Sequence, residues 1–527
     1  MKQPTMKRKS LRTMTALGAA ALCGAFAMTS AHAVQPAISL GYDHALVLRA
    51  DGTVWSWGYG SGGQLGLGNT TTRTSPTQIP TLQNVVQVVA RGSFSLALKA
   101  DGTVWAWGDN SGGRTGGSGT IVPVQINGLS NIVSINAGTN TAAAFATDAS
   151  GQVYAWGSNS AAQLGTGQTS PGGNPVPRLV PGAEGAVAVS ASDAAVLSLR
   201  QDGKVVAWGS NANKALAPVA GTATAPVVID ALSGVQAVAS TSINIAGQYY
   251  ALKSDGTVVA WGQASTNAPF CGQKGQPIAS GYALIDISLI QGLTRIQQIE
   301  PGEGHTLFVD ADGAVHACGV NAAGQLGDGT LVNPSSEAPK IARVAGLPPV
   351  VAAAAGSAVS AAIDTDGSVW VWGKTTNLVP GGDAKATAPV RVMGANGAAF
   401  NAGRVGDAPG TFSGIQTGPL SNVTLDAVAA ISPLHRGKTG RVYVAAFAGS
   451  AVVFLGPNGW VPYTGGAFPA YLSGALPRSV PVRMASGLNL SGLEGVNLVV
   501  GYGVGDDTAA VAEMVRAGRF QVVHTLH

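Results

Sequence analysis

The chain is written in short alternating runs broken by Asp-Gly. Apolar Ala45-Leu46-Val47-Leu48 leads into Asp51-Gly52, and Val54, Trp55 and Trp57 lead away from it to Gly58. Two such runs around Asp-Gly predict a β-hairpin, because the tight turn needs positive φ values that glycine adopts at little cost. The unit returns at Asp101-Gly102, Ser150-Gly151, Asp202-Gly203, Asp255-Gly256, Asp312-Gly313 and Asp366-Gly367. The seven copies stand 49 to 57 residues apart. One hairpin cannot bury its apolar face alone, so copies must stack, and radial stacking of small antiparallel sheets gives a propeller. The Trp side chains suit the gaps between neighbouring sheets.

Other elements repeat in the same frame. Gly63-Gln64-Leu65-Gly66, Ala162-Gln163-Leu164-Gly165 and Gly324-Gln325-Leu326-Gly327 follow the Trp-Gly position. Pro-Val segments such as Pro123-Val124-Gln125-Ile126, Pro226-Val227-Val228-Ile229 and Pro389-Val390-Arg391-Val392 then read as edge strands, where Pro removes no ladder hydrogen bond. Four strands per unit and seven units predict an all-β fold, a seven-bladed β-propeller over residues 34–394.

Gly41-x-x-His44-x-x-x-Leu48-x-x-Asp51-Gly52-x-Val54-Trp55-x-Trp57-Gly58 followed by Gly63-Gln64-Leu65-Gly66 resembles the regulator of chromosome condensation repeat family. The motif returns around Gly302, His305 and Asp312 and is eroded in units four, five and seven, where Gln248 and Val359 stand in the His position. The resemblance implies a β-propeller. The founding member's nucleotide-exchange activity rests on blade insertions and a basic tail without a visible counterpart here. The chain is also similar to the secreted bacterial propellers of the β-lactamase-inhibitory protein II type, which implies a protein-binding role through loops of one face.

Beyond the repeats the texture changes. Residues 395–406 read as a linker, and 407–527 as a C-terminal β-sandwich-like module. Its expected strands lie near 423–425, 441–447, 451–455, 480–484, 496–503 and 519–523, with a short helix over 508–516. Gly456-Pro457-Asn458-Gly459 reads as a turn before the aromatic anchor Trp460.

The first residues carry a different message. Lys2, Lys7, Arg8, Lys9 and Arg12 precede an apolar run from about Met14 to Ala27, and Ala31-His32-Ala33 is a small-x-small cleavage site. Residues 1–33 therefore read as a signal peptide directing the chain to the periplasm or the medium, with no membrane span after cleavage. Removal of these five basic residues leaves 25 Lys and Arg against 26 Asp and Glu, so the whole-chain charge of +4 becomes about −1. No basic cluster remains to suit nucleic acid. Cys271 and Cys318 are the only cysteines beyond residue 33. In an oxidising compartment they could join as a disulfide between adjacent repeats; two buried thiols are the alternative.

Candidate chemistry is sparse. Gly58-Tyr59-Gly60-Ser61-Gly62-Gly63 matches a phosphate-loop pattern, but no helix follows to supply the dipole, so an inter-strand turn is the better reading. The repeated Asp of Asp-Gly reads as a turn residue. His44 and His305, in equivalent repeat positions, read as hydrogen-bonded links between blades rather than as ligands or bases. Asp506-Asp507 in a Gly-flanked loop reads as a solvated turn rather than a calcium site. The sequence thus predicts a monomeric, non-catalytic protein-binding propeller without cofactor, metal or nucleic acid. An envelope enzyme acting on polysaccharide or peptidoglycan is the alternative reading, and a nucleotide-exchange factor the third. Partner contact is expected on the loops after each Trp-Gly strand, at Tyr59, Asp109, Asn159, Asn211, Phe270, Asn321 and Lys374.

Overall fold

The computed structural model describes residues 34–403 and 411–526, apart from 118, 139–142, 194, 212–220, 244–245, 266–270, 272–275, 279–281, 335–340, 382, 418–419, 432–437, 449–450, 457–458, 463–468, 477–478, 489, 492, 494–495, 507–509, 512–513 and 515–519. The signal-like segment 1–33, Phe270, Asp507 and most of the expected 508–516 helix therefore lie outside the described residues. The chain divides into one unit over Val34–Arg404 and a second that includes Val405–His527.

The first unit is a seven-bladed propeller, with six sheets of four strands and one of five. Blade 1 shows the plan: Ala37–Leu40 innermost, then His44–Leu48, Val54–Gly58 and Arg73–Gln78. The Asp-Gly hairpin joins its second and third strands, pairing Leu48 with Val54 and His44 with Gly58. The inner strands of blades 2 to 7 are Val85–Arg91, Ile132–Ala137, Ala186–Ala191, Val235–Ile243, Ile296–Pro301 and Val350–Ala355. Each touches the next, and the seventh touches the first, so the inner strands line a closed ring. Blade 5 carries the fifth strand, Gln276–Ile278, outside Tyr282–Leu289.

The apolar interior is seven separate cores, one in each gap between neighbouring blades. Every gap but one receives a fully buried Trp from the third strand of the later blade: Trp57, Trp107, Trp156, Trp208, Trp261 and Trp372. The gap between blades 5 and 6 receives Cys318, which is bonded to Cys271.

Inner strands of adjacent blades share no ladder, and side chains link them instead. Ser39 Oγ accepts the Ala90 amide, Gln87 pairs with both backbone groups of Ile135, Ser190 Oγ accepts the Ser240 amide, and Gln298 donates to the Val351 carbonyl. Blade 7 meets blade 1 through a different device. Part of the stretch expected to be a linker, residues 395–403, is packed against the ring. Phe400 stacks near Trp55 and Trp57, with ring centroids 5.3 and 6.1 Å apart, and the Ala50 amide donates to Ala402 O at 2.9 Å. An apolar Phe fills a gap that no further blade covers, which composition alone did not reveal.

The second unit contains a three-stranded sheet, Thr411–Thr417, Val423–Ala430 and Ser479–Leu488, and a six-stranded sheet built on Thr439–Ala448 and Asn497–Val504. One core unites them, with Leu425, Ala427 and Val482 from the first sheet against Val442, Val444 and Val500 from the second. Trp460 donates its indole to Met484 O at 3.1 Å.

Candidate binding face

Two sets of connections leave the propeller on the same face: the turns between first and second strands, and the longer loops after each Trp-Gly. In blade 1 the Tyr59 amide donates to Asp43 O at 2.7 Å, joining the two sets directly. Across the ring closure, Lys374 Nζ of blade 7 lies 2.7 Å from Asp43 Oδ1. The Asp-Gly turns lie at the other ends of the strands. There Asp51, Asp101 and Asp255 accept from the following Thr amide and hydroxyl through Oδ1, so each carboxylate braces its own turn.

The Gly-Gln-Leu-Gly element makes the loops rigid. Gln64, Gln163 and Gln325 each fold back so that Oε1 accepts the amide two residues earlier. Leu65, Leu164 and Leu326 plug the space beneath. The carbonyl of each Gln then accepts the indole N–H of the next blade's Trp: Trp107 from Gln64 at 2.8 Å, Trp208 from Gln163 at 2.9 Å and Trp372 from Gln325 at 2.9 Å. Trp156 uses Arg114 O and Trp57 uses Leu378 O in the same way. At Gly66 a Cβ would sit 2.8 Å from Trp107 Nε1, so only glycine lets this loop lie flush on the ring.

The histidines add a second link of the same kind. His44 Nε2 is 3.0 Å from Ser95 Oγ, which donates to Gln64 O at 2.9 Å. His305, Ser360 and Gln325 repeat this geometry at 2.8 and 2.8 Å. The hydroxyl proton is committed to the carbonyl, so the imidazole must be the donor at Nε2, and Nδ1 is left bare and buried. Burial accordingly lowers His44 from 6.5 to about 4 and His305 to about 3. These are neutral linking residues between blades, as their repetition in the sequence suggests.

The loop candidates separate into two groups. Asn159 and Asn321 are buried, and their Oδ1 atoms accept the amides of Leu164 and Leu326 at 3.0 and 2.9 Å. Asn110 does the same for Thr115, so the Asn two places after Trp-Gly is an internal brace, and its side chain is not offered to a partner. Asn211 is half-buried. Tyr59 is 43% exposed, and Lys374 is exposed but held by Asp43. Burial pushes the Asp109 carboxyl up, but the Ser111 hydrogen bonds and Arg114 outweigh it, holding it below its ordinary value. Leu331 and Val332, in the loop after Asn321, are 48% and 71% exposed, and no repeated position marks them in the sequence.

The mouth of the central channel opens on this face. Tyr42, Arg91, Glu303 and Ser357, from blades 1, 2, 6 and 7, line a small cleft there. Glu300 lies just inside, on the same inner strand that leads to Glu303. Burial raises Glu300 from 4.5 to about 7 despite Arg91, and raises Glu303 to about 7, where Asp193 and Asp43 add like charge. Burial also pushes Tyr42 up to about 12, helped by Glu303 and Asp193. These side chains keep some contact with water while protein surrounds them, the expected situation for groups inside a narrow channel.

The regulator of chromosome condensation repeat matches residues 51–98, 150–199 and 312–363, and a second description of that repeat matches 37–64 and 85–114. The chain carries regulator of chromosome condensation repeats. Each of the longer matches begins at an Asp-Gly or Ser-Gly turn and ends in the next blade, so the Ser95–Gln64 and Ser360–Gln325 bonds are internal to one repeat. The mouse regulator of chromosome condensation is 28% identical over 369 residues, 65% of this chain and 85% of that protein. The human E3 ubiquitin-protein ligase HERC2 is 28% identical over 318 residues, 56% of this chain but only 6% of the ligase. The crystal structure of Prp20p from Saccharomyces cerevisiae superposes with a TM-score of 0.55 at 22% identity, covering 69% of this chain and 88% of that one. That structure is described together with its binding to Gsp1p and histones.

Proposed function

We propose that this chain is an exported, monomeric, non-catalytic propeller that binds a protein partner through the face bearing the loops after Trp-Gly. The observation that carries the reading is the division of labour within those loops. Gln and Leu side chains lock the loops of blades 1, 3 and 6, with Asn159 and Asn321 bracing the last two, while Tyr59, Leu331 and Val332 are exposed on the same face. Preorganised loops lose little entropy on association, and exposed aromatic and aliphatic tips are what a partner's pocket takes up. Yeast Prp20p, of similar fold, binds proteins, which agrees with this use of the scaffold. The buried Cys271–Cys318 bond suits an oxidising compartment, as does the signal-like segment 1–33.

Affinity capture from envelope extract and culture medium tests the reading. The intact chain should retain one protein that Tyr59→Ala, Leu331→Ser and Val332→Ser together release. A catch indifferent to these substitutions overturns the choice of face, and retention of nothing specific overturns the binding role.

A further inference from the structure

The channel mouth is built by glycine turns that interlock. A Cβ on Gly302 would lie 2.3 Å from Gly356 O, one on Gly356 2.7 Å from Gly41 O, and one on Gly41 2.6 Å from Gly92 O. Four consecutive blades, 6, 7, 1 and 2, therefore meet backbone to backbone around one rim. The Glu303 amide donates to Gly356 O and the Tyr42 amide to Gly92 O, both at 2.9 Å, which fixes the register of that rim. Tyr42, Glu303 and Ser357 each follow a rim glycine and line the cleft, with Arg91 beside them.

The cations around this mouth are already engaged. Lys374 holds Asp43, and Arg114 holds Asp109. Arg91 donates through Nη1 to the carbonyls of Leu40 and Ala90, its buried Nε lacks a partner, and its charge acts on Glu300 and Glu303 from beyond ion-pair distance. The carboxylates are not matched. Glu303 accepts a bond from Ser357 Oγ at 2.9 Å, and among the described residues neither Glu303 nor Glu300 has a cation within ion-pair distance. Asp193 of blade 4 and Asp43 add further negative charge toward Glu303, and Tyr42 presents a phenol beside them. Crowded carboxylates in a confined mouth favour the entry of a positive group that donates hydrogen bonds.

We propose that the channel mouth receives a basic side chain, a guanidinium or primary ammonium, presented by the protein partner, with Glu303 and Glu300 as its acceptors and Tyr42 as its flanking wall. The inference rests on the protein-binding reading of this face and deepens it by stating the partner's chemistry. A cation entering at pH 7 favours the ionised carboxylates, both of which burial has brought to about 7, so binding must release protons.

Titration calorimetry of the full chain with methylguanidinium chloride at pH 7 tests this, run in two buffers of different ionisation heat. Tetramethylammonium chloride at the same ionic strength is the control, because it carries the charge without N–H donors. Methylguanidinium should bind with proton release, and Glu300→Gln/Glu303→Gln should weaken it at least about tenfold, the cost of losing charged hydrogen bonds. Glu303→Gln alone, checked by thermal unfolding, serves if the double variant does not fold, and should reduce the proton release. Equal binding of tetramethylammonium, absence of binding, or unchanged binding by the Gln variants overturns the proposal. A partner still captured by Gln variants, and still lost with the Tyr59, Leu331 and Val332 substitutions, would leave the binding face standing and remove the mouth from it.

Discussion

At the scale of single residues, a main-chain carbonyl organises each well-kept gap. Gln64 O accepts from Ser95 Oγ and Trp107 Nε1, using both lone pairs, and Gln325 O does the same for Ser360 and Trp372. The histidine at the head of the relay is neutral by construction. Its folded-state pKa, about 4 for His44 and about 3 for His305, lies below the ordinary 6.5. Above pH 6.5 neither folded nor unfolded state protonates these rings, and their contribution is complete. As pH falls below 6.5 the unfolded chain takes up protons first, so stability drains away toward pH 4. His44→Ala or His305→Ala should each cost about 2 kcal/mol at pH 7, from the lost hydrogen bond and the cavity. The double variant should show a flatter decline than the native chain between pH 6.5 and 4. Denaturant unfolding across that range measures both effects. Glu300 and Glu303, raised above 4.5, act in the opposite sense, so the comparison with the variant rather than the native slope alone isolates the histidines.

At the scale of elements, the seven gaps are variations on one latch, and the sequence displayed its parts unevenly. Asp-Gly, the paired Trp and Gly-Gln-Leu-Gly are contiguous, so spacing alone revealed them. The partners of His44 and His305 are serines in the following blade, and nothing local marks Ser95 or Ser360. Their register does: Phe94 and Val359 stand opposite Gly108 and Gly373, as His44 stands opposite Gly58, so each serine is the next residue after that slot. The Asn two places after the strand-end Gly turns inward at Asn159 and Asn321 because its side-chain oxygen can accept the amide that closes its own loop. At the sixth blade Cys318 takes the Trp slot, and the bond to Cys271 supplies covalently what an indole N–H supplies elsewhere. The chain between the two cysteines spans 47 positions, for which loop-closure entropy gives about 4 kcal/mol. Cys271→Ser/Cys318→Ser should lower unfolding stability by up to that amount. Because both sulfurs are buried, reductant should act on the native chain only as fast as it unfolds, which thiol labelling under native conditions would report.

At the scale of the whole molecule, the ring presents two unlike faces. One carries Asp-Gly turns whose carboxylates brace the turns themselves; the other carries braced loops, outward apolar tips and a mouth with more acid than base. The mouth was beyond sequence reasoning because Arg91, Glu300, Glu303 and Tyr42 come from blades 2, 6 and 1 and meet only when the ring closes. The shared position of Tyr42, Glu303 and Ser357 directly after a turn glycine was the signal available. Hydrogen–deuterium exchange on the complex with the captured partner tests the assignment of function to this face most directly. Protection is predicted at 41–43, 59–63, 302–304, 321–333 and 356–358, with the Asp-Gly turns at 51–53, 101–103 and 255–257 unchanged. Protection confined to those turns, or to residues 411–525, would contradict it.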